Sequence, residues 1–363
     1  MRPPTTFADL TTLRVGGKAG VLLDAATEDE IVDAVRGADD LGASLLVLGG
    51  GSNVVVSDEG FPGAVVRDGR ATITAGSGSG NEVSVTVTAG TPWDEVVARA
   101  VDEGWVGVEA MSGIPGSAGA TPVQNVGAYG QEVSEAIASV KVWDRSGGET
   151  RSLSRDECGF AYRDSLLKRS MRGEAGDGRR WQPTPRFVVL EVVFRLEKGP
   201  VSTPIAYAEL AKSLGVSVGR RVPLAEVREA VLALRRAKGM LLDSKDHDTW
   251  SVGSFFTNPI LTADEASRLP EEAPRYPVEG GETGGSVKTS AAWLIKRAGF
   301  GRGFALTLDA PVSLSTKHTL AVTNRGGATA ADVLGLARHI RDGVREAFGI
   351  TLEPEPVFVG LSL

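Results

Sequence analysis

Two glycine-rich stretches are the residues of this sequence best suited to hold a phosphorylated ligand. Gly49-Gly50-Gly51-Ser52-Asn53 follows an apolar run, Ala43 to Leu48. Its turn presents main-chain N–H groups that no Cβ obstructs, which is the chemistry of a phosphate cradle. Taken alone it is equally well a tight hairpin between two strands. It leads into a strand pattern, Asn53–Ser57, instead of a helix; no G-x-G-x-x-G and no GK[ST] ending occur, so neither common nucleotide motif applies. The second stretch is Ser112-Gly113-Ile114-Pro115-Gly116-Ser117-Ala118-Gly119-Ala120-Thr121-Pro122, continuing through Val123-Gln124-Asn125-Val126-Gly127-Ala128-Tyr129-Gly130 with almost no charge. A flat isoalloxazine ring needs small residues and main-chain donors along its edge. Two such loops in one N-terminal lobe favour a bound flavin dinucleotide over a pair of structural turns.

Other chemistries have less to draw on. Cys158 is the single cysteine, and His247, His318 and His339 do not fall at helical ligand spacing, so no metal site is expected. One cysteine also excludes an intrachain disulfide, and a reducing cytoplasm is the expected location. The formal net charge of −7 disfavours nucleic acid and anionic membranes as partners. An anionic substrate would then need a local basic cluster. The segment MRPPTTFADLTTLR lacks the apolar run of a signal peptide, and no stretch reaches the ~20 apolar residues that span a bilayer.

The elements that must position these loops read as α+β. At 363 residues, with 42% hydrophobic and 23% charged, the chain exceeds one core and predicts two or three domains. Thr27 with Glu30 forms a capping box for a helix whose apolar face is Ile31, Ala34, Val35, Ala38 and Leu41, stopped by Gly42. Strands are expected at Ala43–Leu48, Asn53–Ser57 and Gly63–Arg67. Val83, Val85 and Val87 alternate with polar residues as in a half-buried strand. A second helix takes Thr91 as its cap and Pro92 as its first residue, ending at Gly104. Strands follow near Val140–Trp143 and Phe187–Leu196, separated by Arg169–Arg186, which reads as an exposed insertion. Helices are expected from Pro223 to Lys238, Ser290 to Ala298 and Ala331 to Phe348, with residues 262–288 rich in loops.

The residues Leu48–Asp58 (LGGGSNVVVSD) and Gly113–Gly130 (GIPGSAGATPVQNVGAYG) resemble the two flavin loops of the UDP-N-acetylenolpyruvoylglucosamine reductase family, in its subgroup with a tyrosine-bearing loop. The resemblance runs from Thr12-Leu13-Arg14-Val15-Gly16-Gly17 to Glu353-Pro354-Glu355. It implies a two-lobed FAD-binding fold of the vanillyl-alcohol oxidase class and a C-terminal α+β substrate-binding domain. The implied divisions are 10–70 and 71–198 for the FAD lobes, 199–239 for the tyrosine loop and its helix, 240–348 for the substrate domain, and 349–363 for a strand returning to the flavin site. It further implies a cytoplasmic, monomeric enzyme that passes hydride from NADPH through non-covalent FAD to UDP-N-acetylglucosamine enolpyruvate.

Carried over residue by residue, the resemblance implies catalytic roles for Arg163 in Tyr162-Arg163-Asp164-Ser165, Ser254 in Gly253-Ser254-Phe255-Phe256-Thr257-Asn258-Pro259, and Glu355 in Leu352-Glu353-Pro354-Glu355. By that resemblance Ser254 would protonate the α-carbon, while Arg163 and Glu355 would stabilise or polarise the enolate; since an ionised carboxylate would repel that charge, Glu355 is expected to be protonated when it acts. Cofactor contacts are expected from Gly49, Gly50, Gly51, Ser52, Asn53, Ser112, Gly113, Ile114, Pro115, Gly116, Gly119, Ala120, Gln124, Asn125 and Gly127. Substrate contacts are expected from Tyr162, Tyr207, Lys238, Asn258, Lys288 and Arg297, with Lys296 beside them. Each catalytic residue has an ordinary alternative: Ser254 capping a turn, Arg163 pairing with Asp164 at the surface, Glu355 as a solvated strand-edge charge. Asp243–Thr249 lengthens the link to Ser254, Thr257 stands where many relatives carry lysine, and Arg297 where some carry glutamine. The competing readings are an FAD-linked oxidase, which would have no histidine in the flavin lobe for tethering, and a non-catalytic flavin-binding relative.

Overall fold

Strand alternation at Val83, Val85 and Val87 builds the largest sheet of the protein. In the computed structural model, which describes residues 5–278 and 286–363, these three side chains are buried on one face of strand Glu82–Thr88. The strand belongs to a six-stranded antiparallel sheet ordered Glu149–Ser154, Ile137–Asp144, Phe187–Lys198, Glu82–Thr88, Ile73–Ser77, with Trp105–Val106 pairing onto Phe187–Lys198. Helix Trp93–Asp102 covers it through Trp93, Val96, Val97 and Ala100. A smaller parallel sheet runs Ala19–Ala25, Phe61–Asp68, Leu45–Val47, under helix Glu28–Asp40. Ile31, Val35 and Ala38 from that helix share a core with Trp143, Val188 and Leu190 of the large sheet.

These elements form the first of two units, residues 19–51 and 61–241. It also holds helices Ala208–Ser213 and Leu224–Ala237, which bury Leu210, Ala211, Val227 and Val231 against Ala110, Ile205 and Val222. The second unit comprises residues 5–18, 52–60 and 242–363. There Val54–Val56 pairs in parallel with Val357–Val359, Val312–Leu314 pairs with Val322–Asn324, and a small sheet is ordered Ile260–Leu261, Val287–Lys288, Tyr276–Pro277. Helices Ala291–Arg297 and Ala330–Phe348 fill its core; Val333, Leu336, Ala337, Ile340 and Val344 are buried. The Asp58 carboxylate accepts from the N–H groups of Ala330 and Ala331 at the start of the long helix. Residues 1–4 and 279–285, and with them part of the loop-rich 262–288, lie outside the described residues.

Several local expectations are corrected. Thr27 does accept the Glu30 N–H, but the Glu30 carboxylate reaches Ala26 N–H instead of closing a box on the cap residue. Leu41 is 83% exposed, because it is the helix's C-terminal cap and turns away with Gly42 at φ 62. The strand within 43–48 is only Leu45–Val47. Pro92, not Thr91, caps the second helix; the Thr91 hydroxyl instead bonds Thr88 and the Thr72 carbonyl. Residues 169–186, expected as an exposed insertion, are exposed only in part, chiefly over 176–180. Ser170, Trp181 and Thr184 are buried, Trp181 lies between the guanidinium groups of Arg145 and Arg179, and Arg186 pairs with Asp144. The Thr184 hydroxyl donates to Leu45 O and accepts from Val47 N, pinning the strand that enters the first glycine loop.

Candidate active site

The two glycine loops, far apart in sequence, meet in the first unit. A Cβ on Gly49 would lie 2.5 Å from Ser117 Oγ, and one on Gly50 would lie 2.7 Å from the Gly116 Cα. Gly51 and Gly116 adopt φ 63 and 124, conformations that side chains resist. Gly49 and Gly50 are nevertheless exposed on their outer side. Among the described residues no acceptor takes the main-chain N–H of Gly49, Gly50, Gly51, Ile114, Gly116 or Ser117. Partnerless N–H groups on a glycine backbone suit a diphosphate, so the residues present fit the FAD that the sequence implies. Three expected contacts are tied into the scaffold. The Ser112 hydroxyl donates to Glu109 O, Gly113 donates to Asp94 and accepts from Arg235, and Gly119 donates to Ala89 O. Ser52 and Asn53 belong to the second unit, where Asn53 Nδ2 donates to Glu355 O at 3.4 Å.

Arg163 is carried by a tight turn in which Ala161 and Asp164 exchange main-chain hydrogen bonds. Its φ of 53 is unusual for a side-chain-bearing residue. Its Nη1 donates to Asn125 O at 3.2 Å and its Nη2 to Gly127 O at 2.9 Å, while its guanidinium stands over the Tyr162 ring. Asp164 does not pair with Arg163; it is held by Arg169 and Arg172. Lys168, which the sequence reading passed over, donates to Gln124 Oε1 and to Arg163 O. Thus Gln124, Asn125, Gly127, Tyr162 and Arg163 are brought together.

In the second unit, the segment around Ser254 pairs with the one around Glu355. Glu355 N–H donates to Phe255 O at 2.9 Å, Thr257 N–H donates to Glu353 O at 3.0 Å, and Phe255 N–H donates to Leu320 O at 2.8 Å. Ser254 and Glu355 therefore sit on adjacent chain segments, both half-buried. Ser254 does not cap a turn: its hydroxyl has no hydrogen-bond partner among the described residues. The lengthened link Asp243–Thr249 is anchored. Asp248 accepts from Thr316 and Arg325, and Lys317 pairs with Asp246. Burial alone would raise the Asp248 carboxyl, but bonds from Thr316 and Ser315 and the Arg325 charge hold it below the ordinary range. Asn258 Oδ1 accepts from Ala291 N–H, leaving its NH2 as the group able to meet a ligand. Arg297 pairs with Glu272 at an exposed position, and Lys288 lies in the short strand Val287–Lys288.

Around the tyrosine loop, Tyr207 packs edge-on against Tyr129 at 5.8 Å, and the Lys238 ammonium stands over the Tyr129 ring while pairing with Glu209 at 2.5 Å. Burial pushes the Tyr129 phenol up to about 12. Burial also lowers Arg235, whose guanidinium donates to Gly113 O and Met240 O. Tyr129, Glu209 and Arg235 were not among the expected site residues. Only Tyr129 had a signal, its place in the glycine-rich run.

Comparison with known proteins bears on the whole chain. A family model described as UDP-N-acetylenolpyruvoylglucosamine reductase, C-terminal domain, matches residues 245–359, and one described as FAD binding domain matches residues 19–154. The chain is 53% identical to the UDP-N-acetylenolpyruvoylglucosamine reductase of Thermobifida fusca over 98% of its length and 97% of that protein. It is 51% identical to the Streptomyces coelicolor reductase over 98% of its length and 90% of that one. The crystal structure of UDP-N-acetylenolpyruvylglucosamine reductase from Thermus caldophilus aligns with a TM-score of 0.64 at 25% identity, covering 98% of this chain and 97% of that one.

Proposed function

The chain belongs to the UDP-N-acetylenolpyruvoylglucosamine reductase family, and on that premise we propose how its own residues carry the reaction. It is an FAD-dependent oxidoreductase of peptidoglycan precursor synthesis, using NADPH as hydride donor to convert UDP-N-acetylglucosamine enolpyruvate to UDP-N-acetylmuramate. Bound FAD supplies the hydride that adds to the enolpyruvyl methylene carbon. Gly49, Gly50, Gly51, Ile114, Gly116 and Ser117 would hold it through their N–H groups.

What the protein must manage is the enolate left on the substrate. Arg163 stabilises that charge: a guanidinium of fixed orientation matches a planar carboxylate, and charge-assisted bonds gain strength where water is excluded. The Ser254 hydroxyl gives its proton to the α-carbon and regains one from solvent. A serine is a weak acid, but an enolate is basic enough to take its proton when the two are held in reach. Glu355, carried on the segment hydrogen-bonded to the one that bears Ser254, is the third group that acts on the enolate. Tyr207 and Lys238 meet the substrate diphosphate, with Asn258, Lys288 and Arg297 as further substrate contacts.

The observation that supports this assignment is the hydrogen bond from Glu355 N–H to Phe255 O, which holds the chain segments bearing Ser254 and Glu355 side by side. Product formation followed by mass spectrometry tests it. Arg163→Ala and Ser254→Ala should each lower kcat by about 10²–10⁴-fold. Glu355→Ala should lower kcat as well, and activity at the wild-type level in that variant would remove its role. A cytoplasmic monomer goes with this reading. It is supported by the single Cys158 and the net charge of −7, and sedimentation would check the oligomeric state.

A further inference from the structure

Asn125 lies in the second glycine-rich stretch, yet its side chain is spent inside the protein. It is 1% exposed. Its Nδ2 donates to Glu132 Oε2 at 3.0 Å and to Ala161 O at 2.9 Å, and its Oδ1 accepts from Ser134 N–H at 3.3 Å. With two acceptors facing the NH2 and one donor facing the oxygen, the orientation of the amide is determined, and both its donors are used. Its own main-chain oxygen accepts from Arg163 Nη1. One residue therefore grips the Arg163 turn at both ends, at the Ala161 carbonyl and at the guanidinium. The backbone needed for this is left-handed, φ 46, a conformation asparagine tolerates better than most side chains.

We propose that Asn125 is a positioning residue for Arg163, presenting the guanidinium to the substrate carboxylate in one orientation, and not a cofactor contact through its side chain. The proposal rests on the reading of Arg163 as the group that stabilises the enolate. Arg163 has several rotatable bonds and starts from a strained φ, so its aim depends on what holds it. Glu132 joins the same network, bonding the Asn125 amide and standing 4.0 Å from Arg163 Nη1. Gly127 O takes the other terminal nitrogen. Losing the amide would release Ala161 and Glu132 together and let the turn shift. A misplacement on the order of 1 Å in a catalytic group lowers a rate by roughly 10²-fold.

A double-mutant cycle on the holoenzyme tests this, read as the rate at which UDP-N-acetylglucosamine enolpyruvate reoxidises flavin that NADPH has reduced anaerobically. Asn125→Gly keeps the left-handed backbone without strain and isolates the side chain; Asn125→Asp keeps the acceptor and loses the donors, and carries the test should the glycine variant fold poorly. Both should slow reoxidation by about 10–100-fold, a loss exceeding that in the NADPH step by about tenfold. In an Arg163→Ala background, removing Asn125 should change the rate less than about twofold, since residues acting through one another do not add. In a crystal structure of Asn125→Gly, the guanidinium should leave Gly127 O. Reoxidation at the wild-type rate in Asn125→Gly, or losses that add in the double variant, would overturn the proposal. Fast reoxidation in Arg163→Ala alone would instead remove the reading of Arg163, and is distinguishable because that variant leaves Asn125 intact.

Discussion

One methyl group added at Gly50 should weaken FAD binding in a way that no side-chain adjustment can relieve. The new Cβ would stand 2.7 Å from the Gly116 Cα and 3.1 Å from its carbonyl carbon. Both atoms are main chain, and ordinary contact begins at 3.4 Å, so one loop must retreat from the other by several tenths of an ångström. Overpacking of this kind costs about 1–3 kcal/mol. If the strain falls on the bound form, the FAD dissociation constant rises about 5–150-fold. Gly49→Ala differs, because its close contact at 2.5 Å is the Ser117 hydroxyl and its next contacts are ordinary at 3.6 Å. Gly49→Ala should therefore also weaken FAD, and Gly49→Ala with Ser117→Ala should recover the affinity of Ser117→Ala alone. Fluorescence titration of FAD into the apoproteins reads both constants. A Gly50→Ala protein that binds FAD within twofold of the wild type, with unchanged thermal stability, would refute the loop-on-loop packing from which the cradle is argued.

Two further outcomes follow from buried titratable groups. Burial alone would raise the Asp144 carboxyl, but bonds and charge from Arg186 and the N–H groups of Gly147 and Ser146 outweigh it and hold the group below the ordinary carboxylate range. Its stabilisation is therefore present above the unfolded value near 4 and lost as pH falls through the lower folded value. Asp144→Asn should destabilise by about 3–5 kcal/mol at pH 7 in denaturant unfolding, and the gap to the wild type should narrow at acid pH; a gap independent of pH would contradict it. Tyr129, pushed up to about 12 by burial, should stay protonated through pH 10, so a difference titration against Tyr129→Phe should show no phenolate absorbance from it in that range.

What was legible in the sequence was local, or carried by motifs. The Thr27 cap, the Val83–Val87 alternation and the helix ending at Phe348 depend on neighbours within a turn or two, and the structure has them as read. Boundaries slipped where two local signals compete: Pro92 can begin a helix or cap it, and its ψ of 129 leaves it outside the helix as the cap. The 169–186 segment misled because Gly, Arg and Pro read as solvated, whereas Trp181 is buried between two arginines, one of them outside the segment. The motifs named Arg163, Ser254 and Glu355, but nothing in their spacing announces that Phe255 bonds Glu355 a hundred residues on, or that Gly50 abuts Gly116. Asn125 shows the same limit. Its place in a loop that resembles a flavin loop implied a cofactor contact, and only the fold reveals that Glu132, Ser134 and Ala161 claim its side chain.

The most direct test of the central claim is a stopped-flow record of the flavin absorbance in the purified protein, reduced anaerobically with NADPH and then mixed with UDP-N-acetylglucosamine enolpyruvate. The account predicts that the oxidised spectrum returns rapidly in the wild type and that Ser254→Ala slows its return by about 10²-fold or more. Bleaching by NADPH with no return on adding the enolpyruvyl sugar would contradict the substrate assignment, and a protein that takes up no FAD on reconstitution would contradict the account as a whole.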